Sequence, residues 1–174
     1  MSNILYINEI SKLFIYLFRN QKLLIMARPT RSSGTIKPTN TFYVFVVLGI
    51  IWYGIGVMMY LAQAYKPDSF MSMIPENQLE FMNSTPKWVY AAFAIAVWFG
   101  FLGVILMLLR KKLSRLFFII SFVALVVQLA YNFIMTNAYD VYGGEGIVQA
   151  IITFLISIFY IGFTKRAIES EVLR

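Results

Sequence analysis

Residues 88–135 read WVYAAFAIAVWFGFLGVILMLL, then RKKLSR, then LFFIISFVALVVQLAYNFIM. Both long runs lack Asp, Glu, Lys and Arg. A helix needs about 20 mostly apolar residues to cross the hydrocarbon core of a membrane. The stretch therefore predicts two membrane-spanning helices, at 88–109 and 116–135. The basic loop between them is short enough to make them a tight antiparallel hairpin.

Two further stretches of the chain meet the same criterion, at residues 42–65 and 146–164. Neither contains a charged residue, and neither alternates apolar and polar residues as the strands of a membrane barrel do. A helix satisfies its own backbone hydrogen bonds, which lipid cannot do. The sequence therefore predicts an all-α integral membrane protein with four transmembrane helices in an antiparallel bundle.

The overall composition agrees with this class of protein. Hydrophobic residues make up 60% of the 174 residues and charged residues 13%, against about 45–50% and about 25% in soluble domains. These proportions exclude a disordered chain, a coiled coil and an ordinary soluble domain.

The distribution of basic residues predicts which parts of the chain face the cytoplasm. Thirteen of the fifteen Lys and Arg residues fall before the first span, between the second and third, or after the fourth, and only Lys66 and Lys87 fall elsewhere. Basic residues concentrate on the cytoplasmic side of membrane proteins. We therefore expect both termini in the cytoplasm. The same rule explains the net charge of +7, so no nucleic acid partner is expected.

The segments outside the spans are assigned from their polarity and spacing. Residues 1–25 carry apolar side chains at helical spacing, which predicts a helix in the membrane interface. The alternative is that Met26 is the true start and that these residues are upstream sequence. Residues 26–41 are expected to form a polar cytoplasmic linker and residues 166–174 a cytoplasmic tail. The long loop 66–87 is expected to contain one or two helical turns that rest on the membrane surface.

Several chemistries are excluded by residues that the chain lacks. It contains no His and no Cys, so thiolate catalysis, disulfides, histidine–metal ligation and a Ser-His-Asp triad are excluded. No Walker or Rossmann phosphate-binding motif occurs, and the spans lack the buried acids of proton relays. We therefore expect no cofactor, no metal site and no enzymatic activity. The remaining enzymatic alternative acts on a lipid or a quinone and depends on acidic residues of the outer loops.

Uncharged polar residues recur at helical spacing within the predicted spans and define what we call the polar seam. The seam comprises Tyr53, Gln63, Gln128, Asn132, Gln149, Thr153 and Ser157. Residues four apart share a helix face, so we expect one seam in the outer half of the bundle. Amides and hydroxyls suit a sugar or a quinone headgroup, because they offer donors and acceptors without charge. The alternative is that these groups join helices through interhelical hydrogen bonds.

One face of the second span consists of small residues. Ala92, Ala96, Gly100 and Gly103 follow one another at spacings of three and four. Such patterns let two helix backbones approach closely. We expect this face to pack against a neighbouring helix within the chain; the alternatives are a helix of a partner protein or of a second copy in a homodimer.

Three motifs carry a resemblance to a known group of proteins. They are Trp52-x-x-x-Gly56-Val57-x-x-Tyr60-Leu61-x-Gln63, Pro86-x-Trp88-x-x-Ala91-Ala92-Phe93-Ala94-Ile95-Ala96-Val97, and Leu109-Arg110-Lys111-Lys112 followed by Leu116-Phe117. With these motifs the chain resembles, over about residues 42–165, small four-span bacterial membrane proteins that often bear the label sugar transporter. The resemblance implies a location in the bacterial cytoplasmic (inner) membrane.

Two functions are favoured by the sequence and the resemblance together. The first is a small non-enzymatic inner-membrane protein that acts as an accessory or interaction component of a membrane complex. The alternative is a transporter for a small solute, such as a sugar, that acts as an oligomer. The expected partners are the lipid bilayer and either another membrane protein or further copies of the chain.

Overall fold

The computed structural model of the chain describes residues 38–136 and 138–174, and only the backbone of Tyr139. These residues form α1 (Asn40–Tyr65), α2 (Asp68–Met71), α3 (Glu76–Ser84), α4 (Lys87–Leu108), α5 (Ser114–Ala130) and α6 (Ala138–Glu169). A π-helical turn, Tyr131–Met135, extends α5. The predictions for residues 1–25, and for most of the linker 26–41, fall outside the described part of the chain.

Four of these helices are long and apolar enough to cross a membrane, namely α1, α4, α5 with its π turn, and α6. The prediction of four such helices is therefore confirmed. Helix α6 begins at Ala138, earlier than the hydropathy pattern predicts, and is interrupted at Gly143, where φ is 61° and ψ is −159°. Glycine adopts such a backbone at no steric cost, so Gly143 allows a short first turn to precede the long apolar helix.

The two ends of α4 are set by residues with restricted or unusual backbones. Pro86 precedes the helix as its N-cap residue, a place where the fixed φ and the missing N–H of proline are tolerated. At the other end Arg110 has a left-handed backbone with φ 60°, and its N–H bonds to the Met107 carbonyl at 2.9 Å. The chain therefore turns sharply within the basic loop, and α5 begins at Ser114.

Helix α4 packs against both α1 and α5, and α5 packs against α6. The small residues predicted to form a packing face on α4 are all buried. A side chain at Gly100 would meet the Tyr53 ring of α1, and one at Gly103 would meet the Phe118 ring of α5. The small-residue face therefore makes room for aromatic rings of the same chain.

Replacing Gly100 by Ala is expected to lower the free energy of unfolding by about 1–3 kcal/mol, the usual cost of overpacking a core. The added methyl group would overlap the Tyr53 ring. That ring cannot move away easily, because the rings of Phe118 and Tyr160 lie with their centroids 5.8 Å from it. Gly162→Ala is the matched control, since nothing lies within 4 Å of a methyl group there. Thermal unfolding in one detergent compares the two variants, and equal melting temperatures would contradict this packing.

The end of the chain folds back onto the loop between α4 and α5. Helix α6 continues to Glu169, beyond the predicted end of the fourth span. The Lys112 N–H then bonds to the Arg174 carbonyl at 2.8 Å, and the Arg174 N–H bonds to the Arg110 carbonyl at 2.7 Å. Leu173 is fully buried among core residues. The segment expected to form a tail is therefore part of the packed structure.

Helix α3 packs against α6. Met82 is buried, and its carbonyl accepts a hydrogen bond from the Tyr90 hydroxyl at 2.7 Å. The Phe81 ring meets the Tyr142 ring edge to face, with the two centroids 5.5 Å apart. This part of the loop, expected to rest on a membrane surface, is thus docked on the protein itself.

Candidate functional site

A cavity of about 600 Å³ lies between α1, α4, α5 and α6. Six of the seven residues of the polar seam line it, and these are Tyr53, Gln128, Asn132, Gln149, Thr153 and Ser157. Small-molecule sites usually have volumes of about 300–1,000 Å³, so the cavity has the size of such a site. Polar residues from three different helices thus meet around one space.

Gln63, the seventh residue of the polar seam, does not line the cavity. Helix α1 contributes lining residues from Trp52 to Met59, and Gln63 lies about one turn beyond them. Its side chain is half-buried. The seam along α1 therefore ends before Gln63.

Tyr53 places a buried hydroxyl at the cavity wall. Its side chain is only 5% exposed, and its hydroxyl lies beside the Ser121 and Ser157 hydroxyls without a hydrogen bond of good geometry to any described residue. Gly100 makes room for its ring, and the Phe118 and Tyr160 rings pack beside it. A buried hydroxyl without a partner costs free energy. This group is therefore available to a molecule in the cavity.

Two serine hydroxyls near Tyr53 already use their protons. Ser121 of α5 donates to the Ala96 carbonyl of α4, and Ser157 of α6 donates to the Thr153 carbonyl of its own helix at 2.9 Å. Since a hydroxyl has a single proton, neither serine has one left to donate. Their oxygen lone pairs can accept a hydrogen bond from the Tyr53 hydroxyl or from a molecule that brings its own donor.

Three amide side chains line the cavity with unused hydrogen-bonding groups. In the described part of the chain, the side chains of Gln128, Asn132 and Gln149 make no hydrogen bond. Each amide offers two N–H donors and a carbonyl acceptor. Asn132 lies in the π turn, and such turns occur frequently at functional sites. The amides therefore supply most of the free hydrogen-bonding capacity of the cavity.

The hydroxyl groups of the site bond mainly within their own helices. Thr153, for example, donates to the Gln149 carbonyl at 2.8 Å. Among the described residues, side-chain bonds between different long helices come from Ser121 and from Tyr160, whose hydroxyl donates to the Phe45 carbonyl at 2.8 Å. The amides of the seam take no part in these bonds, so they do not join the helices to one another.

Aromatic and apolar side chains complete the lining, and the sequence pattern does not single them out. The aromatic ones besides Tyr53 are Trp52, Phe93, Phe133 and Tyr142. The chain contains 16 Phe, 11 Tyr and 3 Trp residues, so the presence of an aromatic residue carries no positional signal. Only the packing of the helices distinguishes these four rings from those that face outward.

The part of the cavity wall formed by described residues contains no charged side chain. Asp140 and Glu145, the acidic residues of the loop before the fourth predicted span, are exposed and lie outside the lining. Across the described ranges, no group of three or more Asp and Glu residues is placed to hold a metal ion. The site is therefore suited to an uncharged molecule.

The fold and the site define a class of protein by themselves. It is a small all-helical protein with four helices long and apolar enough to span a membrane and an uncharged, partly polar cavity between them. No protein-family model, curated protein or solved structure matches the chain.

Proposed function

We propose that this chain is a small, non-enzymatic, multi-pass membrane protein that binds an uncharged molecule in the cavity between its four long helices. The observation that carries the proposal is the Tyr53 hydroxyl, which is buried without a hydrogen bond of good geometry to any described residue, at the wall of a cavity that three unbonded amides also line. Unpaired polar groups are costly in apolar surroundings. A bound molecule with oxygen acceptors and donors satisfies them.

The chemistry of the lining supports binding more than conversion of the bound molecule. The phenol and the amide N–H groups donate to ligand oxygens, while amide carbonyls and serine lone pairs accept from ligand hydroxyls. General acid–base chemistry needs a group that exchanges a proton near the working pH, and the lining residues offer none. A flat or ring-shaped molecule also gains contact with the aromatic rings of the wall.

The role served by this binding is proposed from the sequence resemblance. Small four-span bacterial proteins labelled sugar transporters support a role in moving the bound molecule across the membrane, with the chain acting as an oligomer. The alternative is an accessory component of a membrane complex. That role requires a partner chain present in stoichiometric amount, which the experiment described below also measures.

The proposed orientation places the chain in the inner membrane with both termini in the cytoplasm and neighbouring long helices antiparallel. The uneven distribution of basic residues supports this orientation. The contacts of α1 with α4 support the antiparallel order, because Gly49 faces Val104 and Gly56 faces Val97. Residue numbers that rise along one helix therefore fall along the other.

Single-cysteine labelling tests the orientation directly, since the chain has no native Cys. We expect Ser69→Cys, in α2, to react with a membrane-impermeant maleimide in intact spheroplasts. We expect Ser170→Cys, just after α6, to react only after lysis. Both serines are exposed, so accessibility within the protein does not differ. Labelling of Ser170→Cys in intact spheroplasts would overturn the cytoplasmic placement of the C-terminal end.

The proposed function is tested by native mass spectrometry of the protein purified in a mild detergent. We expect a stoichiometric small molecule whose mass adds to that of the monomer or homo-oligomer. Protein without a bound small molecule, both as purified and after incubation with extracted membrane lipids and polar metabolites, would overturn the proposal. A stoichiometric second protein chain in that empty preparation would establish the accessory role instead.

A further inference from the structure

Helices α1 and α6 have few close backbone contacts in the described part of the chain. Backbone contacts link α1 to α4, α4 to α5, and α5 to α6, whereas α1 and α6 are not close neighbours along most of their length. They meet at one end, where Phe45 packs against Phe159 and Phe163, with ring centroids 5.0 and 5.1 Å apart. There the Tyr160 hydroxyl also bonds to the Phe45 carbonyl.

Beyond this aromatic contact, residues of both α1 and α6 that line the cavity are also exposed on the outside of the bundle. Ile55 and Met59 of α1 both line the cavity and are 54% and 50% exposed. Gln149, on the α6 side, also lines the cavity and is exposed. Ile55 lies near the middle of an apolar helix of spanning length. We call this opening, formed by Ile55, Met59 and Gln149, the lateral mouth.

Helix α3 packs near the end of the cavity where Tyr142 lies. The Phe81 ring contacts Tyr142, which is itself part of the lining. Met82 is buried, and the Tyr90 hydroxyl fixes its carbonyl. The docked helix therefore covers a lining residue at that end of the bundle, whereas Ile55 at the lateral mouth lies near the middle of an apolar helix of spanning length.

We propose that the ligand of the cavity is a membrane-dissolved amphiphile with an uncharged, oxygen-bearing headgroup, and that it enters sideways from the bilayer between α1 and α6. This inference rests on the proposed binding function and names its ligand class. The headgroup bonds to Tyr53, Gln128 and Asn132, and the apolar tail leaves between α1 and α6, alongside Ile55 and Met59. Quinones and acylglycerols share this chemistry.

The buried Tyr53 hydroxyl separates this site from an ordinary lipid-facing groove. A groove that only accommodates acyl chains needs no polar group at its inner wall, where an unpaired hydroxyl is costly. Here the Tyr53 side chain, which is 95% buried, and the unbonded amides of Gln128 and Asn132 lie behind an entrance that Ile55 and Met59 make largely apolar. The polar groups at the wall can bond to an uncharged headgroup, and the apolar side chains at the entrance can contact a hydrocarbon tail.

The test uses the fluorescence of Trp52, which lines the cavity. The Trp88→Phe/Trp98→Phe variant leaves Trp52 as the sole tryptophan, and the full chain is placed in phosphatidylcholine nanodiscs. We expect decylubiquinone to quench Trp52 saturably and dioctanoylglycerol to compete with it. Glucose in the buffer is expected to have no effect. The relative binding affinities of the two amphiphiles then indicate whether the natural ligand is a quinone or an acylglycerol.

A matched pair of variants tests the lateral mouth. On the single-tryptophan background, Ile55→Phe/Met59→Phe narrows the mouth, whereas Ile51→Phe/Met58→Phe makes the same two chemical changes on α1 away from the lining. Ile51 and Met58 are 54% and 68% exposed, so their replacement also leaves the buried packing of α1 intact. We expect the mouth variant to weaken saturable quenching about tenfold, a change of about 1.4 kcal/mol in binding free energy, and the control to leave it unchanged.

Three results would overturn the inference. The first is quenching that does not saturate, and the second is equal quenching in the mouth variant and its control. The third is binding of glucose from the buffer with no effect of either amphiphile. The third result leaves the proposed function intact and changes only the ligand class. The proposed function fails only if native mass spectrometry detects no bound small molecule, both in the protein as purified and after its incubation with lipids and metabolites.

Discussion

The Gln128→Leu/Asn132→Leu variant is expected to lose the bound small molecule while keeping its thermal stability. Both amides line the cavity and make no hydrogen bond within the described chain. Their replacement therefore removes ligand contacts without breaking contacts between helices. If each amide contributes about 1–1.5 kcal/mol to the bound state, affinity falls roughly 100-fold.

The physical reason for unchanged stability is the absence of a partner for either amide. A polar group that bonds two helices stabilises them, but an unbonded amide beside apolar side chains does not. Leucine is close in size to both residues and fits an apolar helix face. We expect the melting temperature of the variant without ligand to equal that of the parent protein or to exceed it slightly.

Gln63→Leu is the matched control for this variant. It makes the same chemical change on the polar seam, but Gln63 does not line the cavity. We expect it to retain the bound molecule at parental occupancy. Native mass spectrometry and thermal unfolding measure both properties on the same samples. A lower melting temperature of the double variant in the absence of ligand, compared with parent protein stripped of ligand, would mean that the amides hold the helices together.

Leu173→Ala is expected to lower the free energy of unfolding by about 2–5 kcal/mol, the usual cost of truncating a buried leucine. Leu173 has 0% exposure and belongs to the same core cluster as Phe42, Met107 and Phe118. These neighbours come from three different helices. Removing the leucine side chain therefore leaves a void where the ends of α1, α4 and α5 meet.

Leu113→Ala provides the comparison, because Leu113 lies in the nearby basic loop and is 50% exposed. It is expected to change the free energy of unfolding by no more than about 0.5 kcal/mol. Chemical unfolding of both purified variants in one detergent measures the difference. If Leu173→Ala does not yield folded protein, Leu173→Val makes a smaller void and is expected to cost less than half as much. Equal stability of the Leu173 and Leu113 variants would contradict the folded-back end.

Much of the architecture follows from the sequence because hydropathy acts locally. A spanning helix depends on about 20 consecutive residues and on the need to satisfy its own backbone. Residues 42–65, 88–109, 116–135 and 146–164 each meet that condition without reference to the others. The four long helices accordingly match these windows, apart from the early start and late end of α6.

The grouping of polar residues on each helix is also local. Spacing of four places Gln128 with Asn132 and Gln149 with Thr153 on single faces, and the structure brings these faces to one cavity. The same reasoning treats Tyr53 and Gln63 alike, since both are polar residues of the first span. The packing of α1 against its neighbours places Tyr53 at the cavity wall and leaves Gln63, ten residues further along the helix, beyond it.

What the sequence by itself determined is the number of long helices, their order and the polar face that each can present. The tertiary structure alone decided which unbonded groups surround a common space, that α1 and α6 separate beside it, and that Leu173 belongs to the core. The reason is that hydropathy and helical periodicity are properties of neighbouring residues in one chain segment. A cavity and a buried chain end instead depend on side-chain volumes from several segments, such as the Tyr53 ring that fits only where Gly100 leaves room.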